Sequence, residues 1–370
     1  MIDDRVATAT PIQHWRPALA KGFQFGAPRW NGEQLLTDIS IAGHRRVLRI
    51  GLRERPVIEQ INSERTPTEI VQALAAHNVS VDAEAVGGML NRLLALGIVE
   101  RPFIQPAQSL AVLDAKAERS ASNLSEVWVT ERSSGRVSRA LGVLSTWPVF
   151  VAAGVIALAA LIAAAMSAPI ALDVLIHSSD GVWLVAAAAI AIVWNLGVTL
   201  VHEAAHVGVF RALSGRDARL SITRLGIVPM LNTQLDGLGL MPWSGKVRVV
   251  MSGPLVSLIS LGIPWMVFTL VPAGTFWQIV AAAALILDLV VAGLAISFFP
   301  NTDGTRFLEA LASVDQLQSV AFRTLIRAIT LPKALPTSTR FIVRIYPLLL
   351  MATVCTVLLL GVLAFGLVLR

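Results

Sequence analysis

The sequence lacks the features of a disulfide-stabilised protein. Cys355 is the single cysteine in 370 residues, so neither a disulfide framework nor a cysteine-based zinc site can form within one chain. It lies inside an apolar run, and we interpret it as a packing residue. The segment Met1 to Arg5 is not followed by an apolar stretch, so we expect no cleaved signal peptide and a cytoplasmic N-terminal region.

Charged residues are scarce, whereas apolar residues are abundant. Only 15% of the chain is charged and 55% is hydrophobic, and the mean hydropathy of +0.68 is too high for an ordinary soluble protein. Long stretches after Leu141 hold almost no charge, so we expect a lipid bilayer around this part. The net charge of +6 is not gathered into a basic run with interleaved aromatics, and we expect no nucleic-acid partner.

Five stretches are long enough for the roughly 20 apolar residues that a bilayer crossing needs. They are residues 146–168, 182–206, 249–271, 277–299 and 343–369. Lys and Arg are missing from 169–181 and 272–276, and positive residues are retained on the cytoplasmic side. We therefore predict a polytopic α-helical membrane protein with about five transmembrane helices in the inner (plasma) membrane of a bacterial-type cell. Arg370 would lie outside, or inside if the last stretch is re-entrant or interfacial.

The second stretch contains His202-Glu203-Ala204-Ala205-His206. On a helix, positions i and i+4 share one face, so both imidazoles can bind one Zn²⁺ while the catalytic Glu203 holds the attacking water. A chance match or a hydrogen-bonded histidine pair is the alternative, and the cost of ionisable groups at membrane depth argues against it. If Arg211 marks the cytoplasmic boundary, His206 and His202 lie roughly 7 and 13 Å inside.

A catalytic zinc site usually has three protein ligands and one open position. We predict Asp303 as the third ligand, because Pro300 should end the fourth span and Gly304 frees the backbone to aim the carboxylate. The alternative role of Asp303 is to cap the helix that starts near Thr305. Asp236, in an Asp-Gly pair typical of a turn, ranks below it as a ligand.

Further polar residues lie inside the apolar stretches. Asn195 and Thr199 extend the stripe of the two histidines with spacings of four, three and four, and they either form interhelical hydrogen bonds or face the substrate. Asp288 lies in the middle of the fourth span. For it we favour an interhelical hydrogen bond over a catalytic or water-path role.

This arrangement resembles the site-2 protease family of intramembrane zinc metalloproteases, which carries H-E-x-x-H in one span and an aspartate-glycine motif after a later one. The resemblance covers about residues 145–310. It implies that His202, His206 and Asp303 bind zinc and that Glu203 is the general acid/base.

Met251-Ser252-Gly253-Pro254-Leu255 resembles the Gly-Pro element of the same family. The chain departs from the family pattern at two positions, with Ser257 where an asparagine is common and Thr302 where a leucine is usual. Ser257 is therefore either a substrate-side residue or a packing residue between helices.

Residues 23–101 predict a small α+β, winged-helix-like cytoplasmic domain. Alternating segments at Leu35 to Ile39 and Val47 to Ile50 indicate strands, and Thr66-Pro67-Thr68-Glu69 is a capping box. The next helix should have an apolar face formed by Val86, Met89, Leu90, Leu93 and Leu94. A winged helix often binds DNA, but attachment to a membrane makes that role less suitable here.

The stretch Trp30 to Val99 resembles the PqqD-like peptide-recognition domain, which implies docking of the leader peptide of a precursor. The leader would add as a strand near Val47 to Leu52, so Val47 and Arg49 are predicted to contact it. The arginines of this region either favour an acidic leader or form a solvated, cytoplasmic surface.

Five parts are therefore predicted. They are a tail (1–22), the peptide-binding domain (23–101), a linker (102–144), the zinc protease core (145–310) and a cytoplasmic helical segment with the last span (311–370). The main hypothesis is a zinc-dependent membrane endopeptidase that cleaves a leader-bearing, ribosomally made precursor near the cytoplasmic membrane face. The alternatives are regulated intramembrane proteolysis of a membrane-anchored regulator and a non-catalytic transport or chaperone subunit. The oligomeric state stays open.

Overall fold

Helices make up most of the chain in a computed structural model. The structure describes residues 16–41, 47–51, 54–62, 64–77, 79–95, 98–100, 131–178, 180–216, 218–225, 228–235, 237–326, 331, 333 and 335–368. The chain divides into two units, one of residues 1–29 and 33–125 and one of residues 30–32 and 126–370.

Short strands and three helices form the N-terminal part. In chain order they are β1 (Ala18–Leu19), β2 (Gln24–Phe25), β3 (Arg29–Trp30), β4 (Leu35–Ser40), β5 (Val47–Gly51), α1 (Arg55–Glu59), α2 (Pro67–Ala76), α3 (Ala83–Ala95) and β6 (Val99–Glu100). Strand β1 pairs with β6, and β4 pairs with β2, β3 and β5. Strand β1 lies within residues 1–22, which the sequence predicted as a tail.

The helix signals read from this region are confirmed. Glu69 N–H donates to Thr66 Oγ1 at 3.4 Å, and Thr66 N–H donates to Glu69 Oε2 at 2.7 Å, so the capping box begins α2. The apolar face of α3 lies in a core with Ile39 and Ile70. Four of its five predicted residues are buried, namely Val86, Met89, Leu90 and Leu93.

The described residues of the second unit form a helical bundle with one hairpin. Its elements are α4 (Glu131–Leu141), α5 (Trp147–Ile176), α6 (Gly181–Ser214), β7 (Arg219–Leu225), β8 (Val228–Gln234), α7 (Trp243–Ser260), α8 (Gly262–Leu270), α9 (Phe276–Ile296), α10 (Asp303–Ala312), α11 (Leu317–Ile326) and α12 (Thr337–Val368). Helix α4 lies within residues 102–144, which the sequence predicted as a linker without a helix. Residues 101–130 lie outside the described part.

Among the described residues, five helices are long and apolar enough to cross a membrane, as the sequence predicted. They are Trp147–Ile176, Gly181–Ser214, Trp243–Leu270, Phe276–Ile296 and Thr337–Leu359, the third being α7 and α8 together. The two loops without Lys or Arg lie at the same end of the bundle, because the rings of Trp183 and Phe276 are 5.7 Å apart. Cys355 is exposed on α12, so its interpretation as a packing residue is wrong.

Small residues let the helices approach closely. Helix α5 buries Ala153, Ala157, Ala164 and Ala171 on one face. On α6, a Cβ at Gly208 would lie 2.1 Å from the carbonyl oxygen of Ser138, so α4 packs directly on the α6 backbone. Interfaces of this kind are typical of membrane helices, which associate through close packing rather than through the hydrophobic effect.

The hairpin of β7 and β8 follows α6 in a region that was predicted only as a cytoplasmic loop. Helix α6 ends at Gly215, whose φ of +66° is a left-handed conformation that suits glycine. The guanidinium of Arg211 then donates to the carbonyl of Ala218 at 3.0 Å. The pairing of Leu220 with Thr233 sets the register of the hairpin.

Candidate metal centre

Three predicted ligands come together between two helices. His202 and His206 are buried on consecutive turns of α6, and Asp303 is the first residue of α10. Nε2 of His202 lies 2.9 Å from Asp303 Oδ2, and Nε2 of His206 lies 3.5 Å from Oδ1. The two Nε2 atoms are 3.2 Å apart. One ligand atom from each residue therefore lies within 4.8 Å of the others.

These separations suit a zinc ion. Nitrogen and oxygen ligands about 2.0 Å from a tetrahedral zinc stand about 3.3 Å apart. The three observed distances of 2.9, 3.2 and 3.5 Å bracket that value. Two imidazoles and one carboxylate are also a donor set that zinc accepts in catalytic sites, with a fourth position for water.

The hydrogen bonds of the outer ring nitrogens agree with this reading. His206 Nδ1 donates to the carbonyl of Val249 at 2.7 Å, and His202 Nδ1 lies 2.8 Å from Ser257 Oγ. A carbonyl only accepts, so the neutral His206 ring keeps its proton on Nδ1 and leaves Nε2 bare. Such partners orient metal-bound histidines. An unprotonated ring nitrogen beside a carboxylate is an arrangement that binding of a divalent cation would stabilise.

Gly253 on α7 makes room for the two rings. A Cβ at this position would lie 2.4 Å from Nε2 of His206 and 2.6 Å from Nε2 of His202. Real Cβ contacts are never so short, and both neighbours are themselves predicted metal ligands. This close approach gives the Gly-Pro element a physical reason.

Asp303 is aimed by the turn between α9 and α10. Helix α9 already ends at Ile296, four residues before Pro300. Thr302, rather than Asp303, is the N-cap of α10, since Thr305 N–H donates to its hydroxyl at 3.4 Å. A Cβ at Gly304 would lie 2.3 Å from the carbonyl oxygen of Ile296, so only glycine fits.

The Asp303 carboxyl is suited to be an anionic ligand. Burial raises its pKa, but hydrogen bonds that protonated His202 and His206 rings donate outweigh burial and hold the pKa well below its usual range. The helix-capping alternative for Asp303 does not apply, because Thr302 takes that role. The carboxylate oxygens are thus left to the two imidazoles.

Glu203 lies beside the ligands on α6 and is partly buried. Its Oε2 accepts a hydrogen bond from the hydroxyl of Thr233, which is buried on β8. The sequence placed Glu203 next to a ligand, and the hairpin adds a partner 30 residues away. The Glu203 Oε1 atom makes no hydrogen bond to any described residue, which leaves it open to a proton.

The other polar residues of α6 bond within the bundle. Asn195 Nδ2 donates to Asp288 Oδ1 at 2.8 Å, and Trp194 Nε1 donates to Asp288 Oδ2 at 2.7 Å. Thr199 donates to the carbonyl of Asn195 at 2.9 Å. The interhelical hydrogen bond favoured for Asp288 is therefore present. Asn195 and Thr199 have partners inside the protein, which favours the first of their two predicted roles.

Ser257 and the predicted peptide contacts are placed as follows. Ser257 is buried against His202, so its hydroxyl supports a predicted ligand and the substrate-side role has no support. Val47 and Arg49 lie in β5, opposite Ser40 and Asp38 of β4, and their side chains are outside the described part. Asp236, the lower-ranked ligand, also lies outside it.

Two contributors to the centre, Val249 and Thr233, and one partner of Asp288, Trp194, escaped prediction. The carbonyl of Val249 carries no side-chain signal, and Trp194 lies within an apolar stretch. Thr233 carried no clear strand signal, because β8 reads Val-Pro-Met-Leu-Asn-Thr-Gln, with a proline and without alternation of apolar and polar residues. No family model, curated protein or solved structure matches this chain. Its function must be argued from the geometry of the centre.

Proposed function

We propose that the chain is a zinc-dependent membrane endopeptidase of the site-2 protease type. The observation that supports this most is the convergence of His202, His206 and Asp303, with Glu203 one residue from a ligand and an oxygen free for a proton. Ionisable groups buried inside long apolar helices are expensive and usually functional. A purely structural role would not require three of them around one point.

The chain's own residues would share the work of peptide hydrolysis. His202, His206 and Asp303 would hold the metal, which when bound polarises the scissile carbonyl and lowers the pKa of its water. Glu203 accepts a proton from the attacking water and gives it to the leaving amine. Ser257 and the Val249 carbonyl keep the two rings in the orientation that presents Nε2.

The position of the centre in the bundle favours the cytoplasmic membrane face. His206 lies five residues before Arg211, and its partner Val249 follows Lys246 and Arg248 on α7. The loops at the opposite end carry no Lys or Arg. Because positive residues are retained inside, the metal centre should lie near the cytosol. An extended segment suits such a site better than an intact helix, whose amides are bonded internally.

For the substrate we propose a leader-bearing, ribosomally synthesised peptide precursor. Strand β5 pairs with β4, and no other described strand pairs with β5, so its second edge suits the addition of a peptide strand. This is the docking mode implied by the PqqD-like resemblance. The second candidate is regulated intramembrane proteolysis of a membrane-anchored regulator, favoured by the burial of both histidines within a span-length helix.

The proposal is tested with the full chain purified in detergent. Wild type and Glu203→Gln should each contain about one zinc per chain, and His202→Ala/His206→Ala should contain almost none. Wild type should cleave peptides in a mixed peptide library read by mass spectrometry, and Glu203→Gln should lose at least about 100-fold in rate. Absence of zinc in wild type, or unchanged zinc in the double variant, would refute the metalloprotease.

A comparison in cells separates the two substrate classes. Peptides and membrane proteins from cells with wild type are compared with those from cells with Glu203→Gln. A small secreted peptide that stays unprocessed in the variant supports the precursor. A single-span membrane protein that stays uncut supports the regulator instead. A purified wild type that binds zinc but cleaves nothing would favour the non-catalytic subunit.

A further inference from the structure

Thr233 is a buried threonine whose hydroxyl faces a carboxylate of the metal centre. It lies near the end of β8, is only 7% exposed, and donates its proton to Oε2 of Glu203. The two residues belong to different elements, a strand and a helix. The contact therefore depends on where the hairpin of β7 and β8 lies against α6.

The hairpin is anchored on both sides of Thr233. At its start, Arg211 of α6 donates to the carbonyl of Ala218, which is buried. Just after β8, Leu235 and Leu238 pack against the core that contains Phe210 of α6. With one end bonded to α6 and the other packed beside it, the position of the Thr233 hydroxyl is fixed by the fold.

The Thr233 hydroxyl has one proton and can donate one hydrogen bond at a time. Because Thr233 gives it to Oε2, that oxygen is held, while Oε1 has no partner among the described residues. A glutamate side chain otherwise samples several rotamers, and ordering it costs conformational entropy. A carboxylate that is ordered in advance reaches the reacting proton more often, since catalysis depends on position.

We infer that Thr233 is a positioning residue for Glu203, with its hydroxyl holding one carboxylate oxygen so that the other takes the proton of the attacking water. The inference rests on the proposed function of the metal centre. It also gives the hairpin a role in the reaction, because β8 carries Thr233 and its position determines whether Glu203 is ordered as the general base.

Three variants of the full chain isolate the hydroxyl. Thr233→Val keeps the shape and removes the donor, whereas Thr233→Ser keeps the donor and removes a methyl group. Thr324→Val is the matched control, because within the described part of the chain the Thr324 hydroxyl bonds only to the carbonyl of Val320 in its own helix. Zinc content should stay the same in all of them, since none changes a predicted ligand.

Two measurements report on Glu203. With a quenched fluorescent peptide chosen from those that wild type cleaves, Thr233→Val should lower kcat about tenfold or more and leave KM within about twofold. Thr233→Ser should restore most of kcat. Acetohydroxamate, which binds zinc and donates to a neighbouring carboxylate, should bind about tenfold more weakly to Thr233→Val by calorimetry. This readout does not depend on turnover.

The outcomes separate the inference from the proposed function. Wild-type kcat and hydroxamate affinity in Thr233→Val would overturn the role of Thr233, and so would equal losses in the serine and valine variants. A fall in zinc content with Thr233→Val would also overturn it, because the residue would then be structural. If wild type binds zinc and cleaves nothing, the endopeptidase fails while the hydroxamate comparison still decides the contact with Glu203.

Discussion

Gly253 is the residue at which the smallest change should disturb the metal centre most. A methyl group there would lie within 2.6 Å of Nε2 on both His202 and His206. We expect Gly253→Ala to reduce zinc from about one per chain to a small fraction, measured by metal analysis of the purified protein. Gly293→Ala on α9 is the control, since a Cβ there meets nothing within 4 Å. Full zinc content in Gly253→Ala would show that the rings lie elsewhere.

Ser257 should set the zinc affinity without being a ligand. Its hydroxyl lies 2.8 Å from His202 Nδ1. Loss of such a partner typically weakens metal binding by roughly 10- to 100-fold, and we expect Ser257→Ala to weaken zinc binding at least about tenfold. Competition with a chelator should show this for Ser257→Ala. Ser260→Ala is the matched control one turn later, because Ser260 bonds only to the carbonyl of Val256 among the residues that the structure describes. Equal affinities in the two variants would remove Ser257 from the centre.

At the residue scale, the sequence predicted the three candidate ligands better than the residues that support them. His202 and His206 follow from helical periodicity, and Asp303 from a proline and a glycine around it. The supports are set by packing across long stretches of chain. Ser257 is 55 residues from His202 in the chain. Val249 accepts a hydrogen bond through its backbone carbonyl, a role that the identity of its side chain does not indicate. Periodicity describes one helix and does not specify which face of another it meets.

Helices α6 and α9 are joined by one carboxylate. Asp288 on α9 accepts hydrogen bonds from Trp194 and Asn195 on α6. We expect Asp288→Ala to lower the free energy of unfolding by roughly 1–2 kcal/mol, given the strength of interhelical hydrogen bonds in membranes. Denaturation of the purified protein measures this. Asp173→Ala should be close to neutral, because that carboxylate is exposed and contacts His177 on its own helix.

The secondary-structure elements that the sequence predicted are those that a long apolar stretch alone determines. All five span-length helices were expected, although the second runs on to Ser214, well past residue 206. Helix α4 was missed because its sequence is polar and contains Gly135, which resembles a linker. Helix α4 packs on Gly208 of α6, which lies some 70 residues later in the chain. A prediction from the local sequence does not include that contact.

The orientation of the whole molecule can be tested with single cysteines. In a Cys355→Ser background, Ser178→Cys and Ala273→Cys lie in the loops without Lys or Arg, whereas Lys333→Cys lies in a basic region. A membrane-impermeant maleimide should label the first two in spheroplasts and the third only after permeabilisation, because positive residues are retained inside. The reverse pattern would place the metal centre on the outer face.

The glycines at 253 and 304 bear on any attempt to transplant this centre into a designed bundle. A design that copied His202, His206 and Asp303 onto idealised helices rich in alanine and leucine would carry methyl groups within 2.6 Å of the nitrogens and of the Ile296 carbonyl. Its helices would have to move apart, and the three donors would spread beyond the reach of one ion. The smallest unit that could be transplanted is therefore five residues on three helices. Two of these residues, Gly253 and Gly304, contribute only by lacking a side chain.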